Sequence, residues 1–130
     1  MSVLQCVKCG NTTESYPPRD RCPKCGGLYE YKVDLDKPLT LDSTQDFTFW
    51  RYRNLLPEVR NLATMHEGGT PLYKAERLAQ QLGMTQLFLK DETRNPTNSF
   101  RDRGAALMVS NVLDLNYNVA RCASNGTRGA

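Results

Sequence analysis

The sequence predicts an α/β chain: a small cysteine-bound ribbon followed by the incomplete start of a parallel sheet. Three observations predict it. Cys6-Val-Lys-Cys9-Gly and Cys22-Pro-Lys-Cys25-Gly-Gly lie twelve residues apart, the pattern of two metal-binding turns. Residues 85–123 read as strand, helix, strand, which is a parallel β-α-β unit. Loops rich in Asn, Ser, Thr and Gly follow both strands. The chain divides accordingly into a ribbon (1–35), a linker and helical connector (36–66) and a partial α/β domain (67–130).

The cysteines come first. Five is an odd number: four sit in the two pairs and Cys122 stands alone. That distribution suits a metal site in a reducing compartment better than a disulfide framework. Two thiolates separated by two residues bind one ion from a single turn, and the following glycine lets the backbone reverse. Two such turns close a tetrahedral thiolate site at Cys6, Cys9, Cys22 and Cys25, which suits zinc. Lys8 and Lys24 offset its negative charge. A redox dithiol would need only one pair. With all four ligand positions taken by protein, the zinc is structural, and its binding helps fold a segment with little core of its own.

After Cys25, residues 28–35 alternate as a strand. Tyr16, Tyr29 and Tyr31 are expected to pack the ribbon rather than to stack on bases. Residues 36–43 read as a linker. FTFWRYRNLL follows, with Phe49, Trp50 and Leu56 as buried anchors and Arg51 and Arg53 solvated or paired. His66 is the sole histidine, which excludes a histidine-based metal centre. Residues 74–83 form a short amphipathic helix with Ala75, Leu78, Ala79 and Leu82 on one face and Gly83 at its C-terminal cap. Residues 85–90 are a strand.

Ser99 opens the next helix, with Asp102 completing an acidic capping box. That helix runs to about Leu115 and turns Gly104, Leu107, Met108, Val112 and Leu115 inward. Asn118 to Ala123 is the second strand. Ligands in such sheets bind beyond the carboxyl ends of the strands, where residues 91–98 and 124–129 lie. The helix amino end faces the same edge and could receive an anion such as a carboxylate or phosphate. Two strands and two helices leave the sheet unfinished, so either the chain continues or a partner completes it.

Composition narrows the classes. With 130 residues, 39% hydrophobic and 24% charged, the chain is ordinary folded material. A net charge of +3 permits an anionic, amino-acid-like ligand without demanding nucleic acid. Basic residues are scattered among acidic ones, so a nucleic-acid partner is not expected. The first residues show neither a basic n-region nor an apolar h-region, and no apolar run approaches the ~18 residues of a membrane span. A soluble, cytoplasmic protein is expected.

Four stretches, WRYRNLLP, EGGTPLYKAERLA, LFLKDETRNPTNSFRDRG and CASNGTRGA, resemble in order and spacing the start of threonine synthase and its relatives, the fold-type-II pyridoxal-phosphate enzymes. The resemblance covers roughly residues 45–130, and Cys-x-x-Cys ribbons precede the catalytic part in some members. It implies a carbon–oxygen lyase in amino-acid biosynthesis that replaces the phosphate of O-phosphohomoserine by water. It also implies that Asn98, Ser99, Phe100 and Arg101 bind the cofactor and that Ser124, Asn125, Gly126 and Thr127 hold the substrate carboxylate. The family's Schiff-base lysine aligns with Arg101, and the glycine before its serine aligns with Asn98. A guanidinium cannot form that imine. It can pair with a phosphate or carboxylate, or be held by Asp102 or Glu92. The family's phosphate cup and the group facing the pyridine nitrogen come later than Ala130. The expectation is therefore the amino-terminal portion of a threonine-synthase-like protein, inactive as this chain. A non-catalytic, ribbon-bearing binding protein is the alternative.

Overall fold

A computed structural model describes residues 3–33, 40–42 and 47–121. The ribbon is a three-stranded antiparallel sheet in the order β2-β1-β3, built from β1 (Val3–Cys6), β2 (Thr12–Glu14) and β3 (Tyr29–Lys32). Leu4 pairs with Thr13 on one side and Tyr31 on the other. Alternation explains the strands: Leu4 and Cys6 are buried, while Glu30 and Lys32 face out between half-buried Tyr29 and Tyr31. The third strand is shorter than the eight residues expected, and residues 34–35 lie outside the described part.

Residues Phe49–Leu55 form a 3-10 helix that delivers Trp50 to the core. Trp50 is fully buried against Val59 and Ala106, with Phe49, Leu56, Leu62 and Leu107 around them. Its indole Nε1 donates to the Ala63 carbonyl at 2.9 Å. Of the three expected anchors, Trp50 is buried, and Phe49 and Leu56 pack against it half-buried. Arg53 pairs with Asp42 at 3.7 Å, and Arg51 stacks over Phe47 at 4.5 Å.

The connector joins the two ends of the molecule. Tyr31 donates its hydroxyl to the Leu56 carbonyl at 2.5 Å, and the Arg60 guanidinium lies 4.2 Å from the centre of the Tyr16 ring. Two of the ribbon's tyrosines therefore dock the ribbon on the connector. On the other side, the Asp114 carboxylate accepts from the Arg60 and Asn61 amides at 2.8 and 2.9 Å. Burial opposes charge on Asp114, but those amides outweigh it and hold its carboxyl below the usual range.

The second half contains β4 (Leu72–Lys74), α1 (Glu76–Gln81), β5 (Phe88–Lys90) and α2 (Arg101–Asp114). Of the expected β-α-β unit, β5 and α2 are described, and the expected second strand is not seen over 118–121. β4 and β5 pair antiparallel, Tyr73 opposite Leu89, and residues 118–121 form no strand; 122 and 123 lie outside the described residues. The physical reason is local. Gly83, at φ +66°, ends α1 and reverses the chain, with the Met84 amide bonded to Ala79 O, so β5 returns beside β4. Every residue of β4 and β5 is exposed.

Both helices also bury less than their patterns suggest. In α1 only Ala79 is buried, and Leu78 and Leu82 are exposed. In α2 the buried residues are Ala106 and Ser110, not Gly104, Met108 or Leu115. Leu107 does pack on the core. Small side chains at 106 and 110 let α2 approach the Trp50 segment closely, and the Ser110 hydroxyl accepts from the Ala63 amide while donating to Ala106 O. We expect Ser110→Val to destabilise the protein by about 1–3 kcal/mol, because the part-buried Ala63 amide loses its acceptor. Urea denaturation checks this.

Candidate functional site

Two places carry chemistry. The first is the cysteine cluster. The Sγ atoms of Cys6, Cys9, Cys22 and Cys25 all lie within 4.8 Å of one another. Cys6 and Cys25 are 3.5 Å apart, and Cys9 and Cys22 are 3.8 Å apart. A tetrahedral ion with bonds of ~2.3 Å to sulfur has edges of about 3.8 Å, so the cage fits a metal. The two turns are equivalent: Gly10 N donates to Cys6 O at 2.9 Å and Gly26 N to Cys22 O at 2.8 Å, both glycines at φ +69°.

The thiols do not share charge evenly. Burial raises Cys22, but the amides of Lys24 and Cys25 outweigh it and bring it down to about 6. The Gly27 amide favours the Cys25 thiolate, yet the neighbouring cysteines, Cys9 first, push it up to about 12. Four thiolates this close require a cation between them.

Gly27 closes the cage. A Cβ there would stand 2.8 Å from Lys8 Cβ and 2.9 Å from Cys6 Sγ. We expect Gly27→Ala to weaken metal binding at least tenfold, read by competition with a chromophoric chelator. Gly10→Ala should act through backbone strain alone, because its position is open.

The second place is the turn leading into α2. Residues Glu92–Arg94 form a 3-10 turn capped by the Asp91 side chain. Asn95 is buried; its Oδ1 accepts from Gly68 N at 3.0 Å, and its Nδ2 donates to Glu92 O at 2.8 Å. Asn98 takes a left-handed conformation, φ 57°. The Ser99 hydroxyl accepts from Arg101 N at 3.2 Å. Asp102 does not close a capping box on Ser99: it reaches past it to the amide and hydroxyl of Thr97. The helix accordingly begins at Arg101, one residue later than a cap at Ser99 would place it.

Glu92 is engaged by Arg103, not Arg101. Arg103 Nε and one terminal nitrogen each reach Glu92 at 2.9 Å, and Thr70 donates to it at 2.6 Å. Arg103, with Thr70, Asn95 and the nearby charge helping against burial, holds the Glu92 carboxyl down to about 2. The Arg101 guanidinium lies 5.5 Å from the Phe100 ring centre. Asn98, Ser99, Phe100 and Arg101 thus share one turn, whereas Ser124, Asn125, Gly126 and Thr127 lie outside the described residues.

The Glu92–Arg103 pair has a pH signature. The folded carboxyl titrates at about 2 against an ordinary 4.5, so its stabilisation is fully present above 4.5 and is lost as pH falls toward 2. Glu92→Gln should flatten the acid limb of stability within that window, measured by denaturation at stepped pH.

Sequence reading missed Glu67 and Asn95 as structural centres. Glu67 is buried, and its Oε2 accepts from the Met65 amide at 2.8 Å. The only available signal was their placement beside Gly-Gly and Pro, which marks tight turns without saying what they bury.

A family model for pyridoxal-phosphate dependent enzymes matches residues 63–130. The chain belongs to that family. It is 40% identical to a threonine synthase of Methanosarcina acetivorans, over all of this chain and 33% of the relative. It is 35% identical to a threonine synthase of Methanocaldococcus jannaschii, over 98% of this chain and 33% of the relative. A Mycobacterium leprae threonine synthase is 43% identical over 61% of this chain and 22% of its own length. The chain thus spans about a third of the length of the first two relatives. No solved structure matches. Among the described residues, no helix is long and apolar enough to cross a membrane.

The turn before α2 does not fit covalent attachment of the family's cofactor. None of residues 98–101 carries a primary amine. The delocalised guanidinium of Arg101 offers no amine lone pair for an imine. The Lys90 ammonium, earlier in the same segment, donates to Thr70 O at 2.5 Å.

Proposed function

We propose that this chain is the ribbon-bearing amino-terminal portion of a threonine-synthase-like protein and does not itself perform the family's covalent chemistry. Residues 1–35 are a zinc ribbon, 36–66 its connector, and 67–130 the first part of the cofactor-binding domain. The zinc is structural, since Cys6, Cys9, Cys22 and Cys25 fill a tetrahedron. The parent reaction is conversion of O-phosphohomoserine to threonine with loss of phosphate. The observation that carries the inactivity is the arginine at position 101, where the resemblance places the Schiff-base lysine.

Arg101 also favours a second reading, a non-catalytic binding protein. A guanidinium beside a helix start suits a carboxylate or phosphate held without a covalent bond. Residues Ser124 to Thr127 are its companions on that reading.

The test is direct. The purified chain is mixed with pyridoxal phosphate, treated with borohydride and mapped by peptide mass spectrometry. We expect no stoichiometric adduct on any one lysine. A single stoichiometric adduct, on Lys90 or Lys74 for example, would overturn the reading. Metal analysis should give one zinc per chain, and a ratio near zero in folded protein would remove the ribbon's assignment.

A further inference from the structure

Tyr29 stands where the two cysteine turns meet. Across β1 and β3 it pairs with Cys6, and its amide donates to Asp20 O at 3.2 Å, two residues before Cys22. The side chain is half-buried, and its hydroxyl accepts from Asn11 Nδ2 at 3.2 Å. Asn11 is itself fixed at the cage, because its carbonyl accepts from the Cys6 amide at 2.8 Å. Since Asn11 meets the hydroxyl as a donor, the hydroxyl's one hydrogen is left for a different acceptor. That acceptor is at hand: the hydroxyl makes a side-chain hydrogen-bonding contact with Cys22.

We infer that Asn11 and Tyr29 form a relay that aims a hydroxyl hydrogen at the Cys22 sulfur of the metal-loaded cage, which makes Tyr29 a positioning residue of that site. A metal-bound thiolate keeps lone pairs, and a hydrogen bond to one of them draws electron density off the sulfur. Groups behind the ligands tune a metal centre in this way. The consequence is an inequality between two turns that otherwise repeat. Cys22 is buried and hydrogen-bonded, whereas Cys9, its neighbour at 3.8 Å, is exposed. The inference rests on the reading of the cage as a metal site and goes beyond it, because a structural ion needs four sulfurs but no hydroxyl behind one of them.

The experiment loads the chain with cobalt(II) and records the sulfur-to-cobalt charge-transfer absorption. Tyr29→Phe keeps the ring and removes the donor, so the band should move to lower energy. Metal affinity, read by competition with a chromophoric chelator, should fall roughly tenfold. Asn11→Ala leaves the hydroxyl in place but unaimed, and should give a smaller shift in the same direction. Tyr31→Phe removes the hydrogen bond to Leu56 O, away from the cage, and should leave the band where it was. An unmoved band in Tyr29→Phe would overturn the inference. So would an equal shift in Tyr31→Phe, which marks general loosening of the ribbon. If Tyr29→Phe takes up no cobalt, Asn11→Ala decides alone: a shifted band supports the relay and an unmoved one overturns it. An unaltered chain that binds no cobalt removes the metal site itself, whereas a loaded chain with an unmoved band removes only the relay, so the two readings fail separately.

Discussion

Removing the metal from the cysteine cage should unfold the ribbon and leave the Trp50 core standing. Among its described residues the ribbon buries only Leu4 and Ser15 besides the cage cysteines Cys6 and Cys22. So small a core offsets little chain entropy, and an ion held by the four cysteines would carry the difference. Structural zinc in comparable small modules is worth ~10–16 kcal/mol of apparent binding energy. The expected result of chelation, or of Cys22→Ser, is fast amide exchange throughout β1, β2 and β3. The Tyr31–Leu56 hydrogen bond and the Arg60–Tyr16 stacking should be lost with them. Trp50 should keep its buried emission, because Val59, Ala106 and Ala63 hold it without help from the ribbon. Protected β1–β3 amides in metal-free protein would show that the ribbon folds by packing alone.

The same cage shows what a sequence displays plainly. Cys-x-x-Cys-Gly fixes ligand type, spacing and turn within five residues, so no distant contact is needed to read it. Trp50 was legible for a similar reason: a lone tryptophan in an aromatic run has few places to go except a core. α2 was legible as a helix but not as a packed one. Its apolar residues cover two faces, and periodicity does not say which face meets a neighbour. The core took the small residues, Ala106 and Ser110, because close approach mattered more there than side-chain size.

The region around the turn was legible in kind and misread in partners. The Asn-Pro-Thr-Asn-Ser run marked a turn ahead of a helix, and a turn is what it forms. Which acid meets which arginine depends on angles around α2. Arg101 and Arg103 lie two residues apart, about 200° around the helix, so a carboxylate held on one side by Thr70 and Asn95 meets only one of them. That is Arg103. The second strand of the expected parallel unit is a different case: residues 118–121 form no strand, and 122 and 123 lie outside the described residues.

Trp50→Ala should be the most damaging single change outside the ribbon. The side chain is fully buried, its ring centre lies 5.3 Å from that of Phe49, and its Nε1 satisfies the Ala63 carbonyl. Truncating a buried tryptophan removes apolar burial and leaves a cavity, together about 3–5 kcal/mol. Trp50→Phe separates the terms: most of the packing survives, and the unmatched Ala63 carbonyl costs about 1–3 kcal/mol. Because Trp50 is the only tryptophan, urea denaturation must be followed by circular dichroism. The cobalt(II) spectrum gives the control. The cysteine cage draws its contacts from β1, β3 and its own two turns, so Trp50→Ala should leave that spectrum intact while α2 loses its amide protection. A collapse of the cobalt spectrum in Trp50→Ala would mean that the connector supports the ribbon. The dependence between the two would then run opposite to the one expected on chelation.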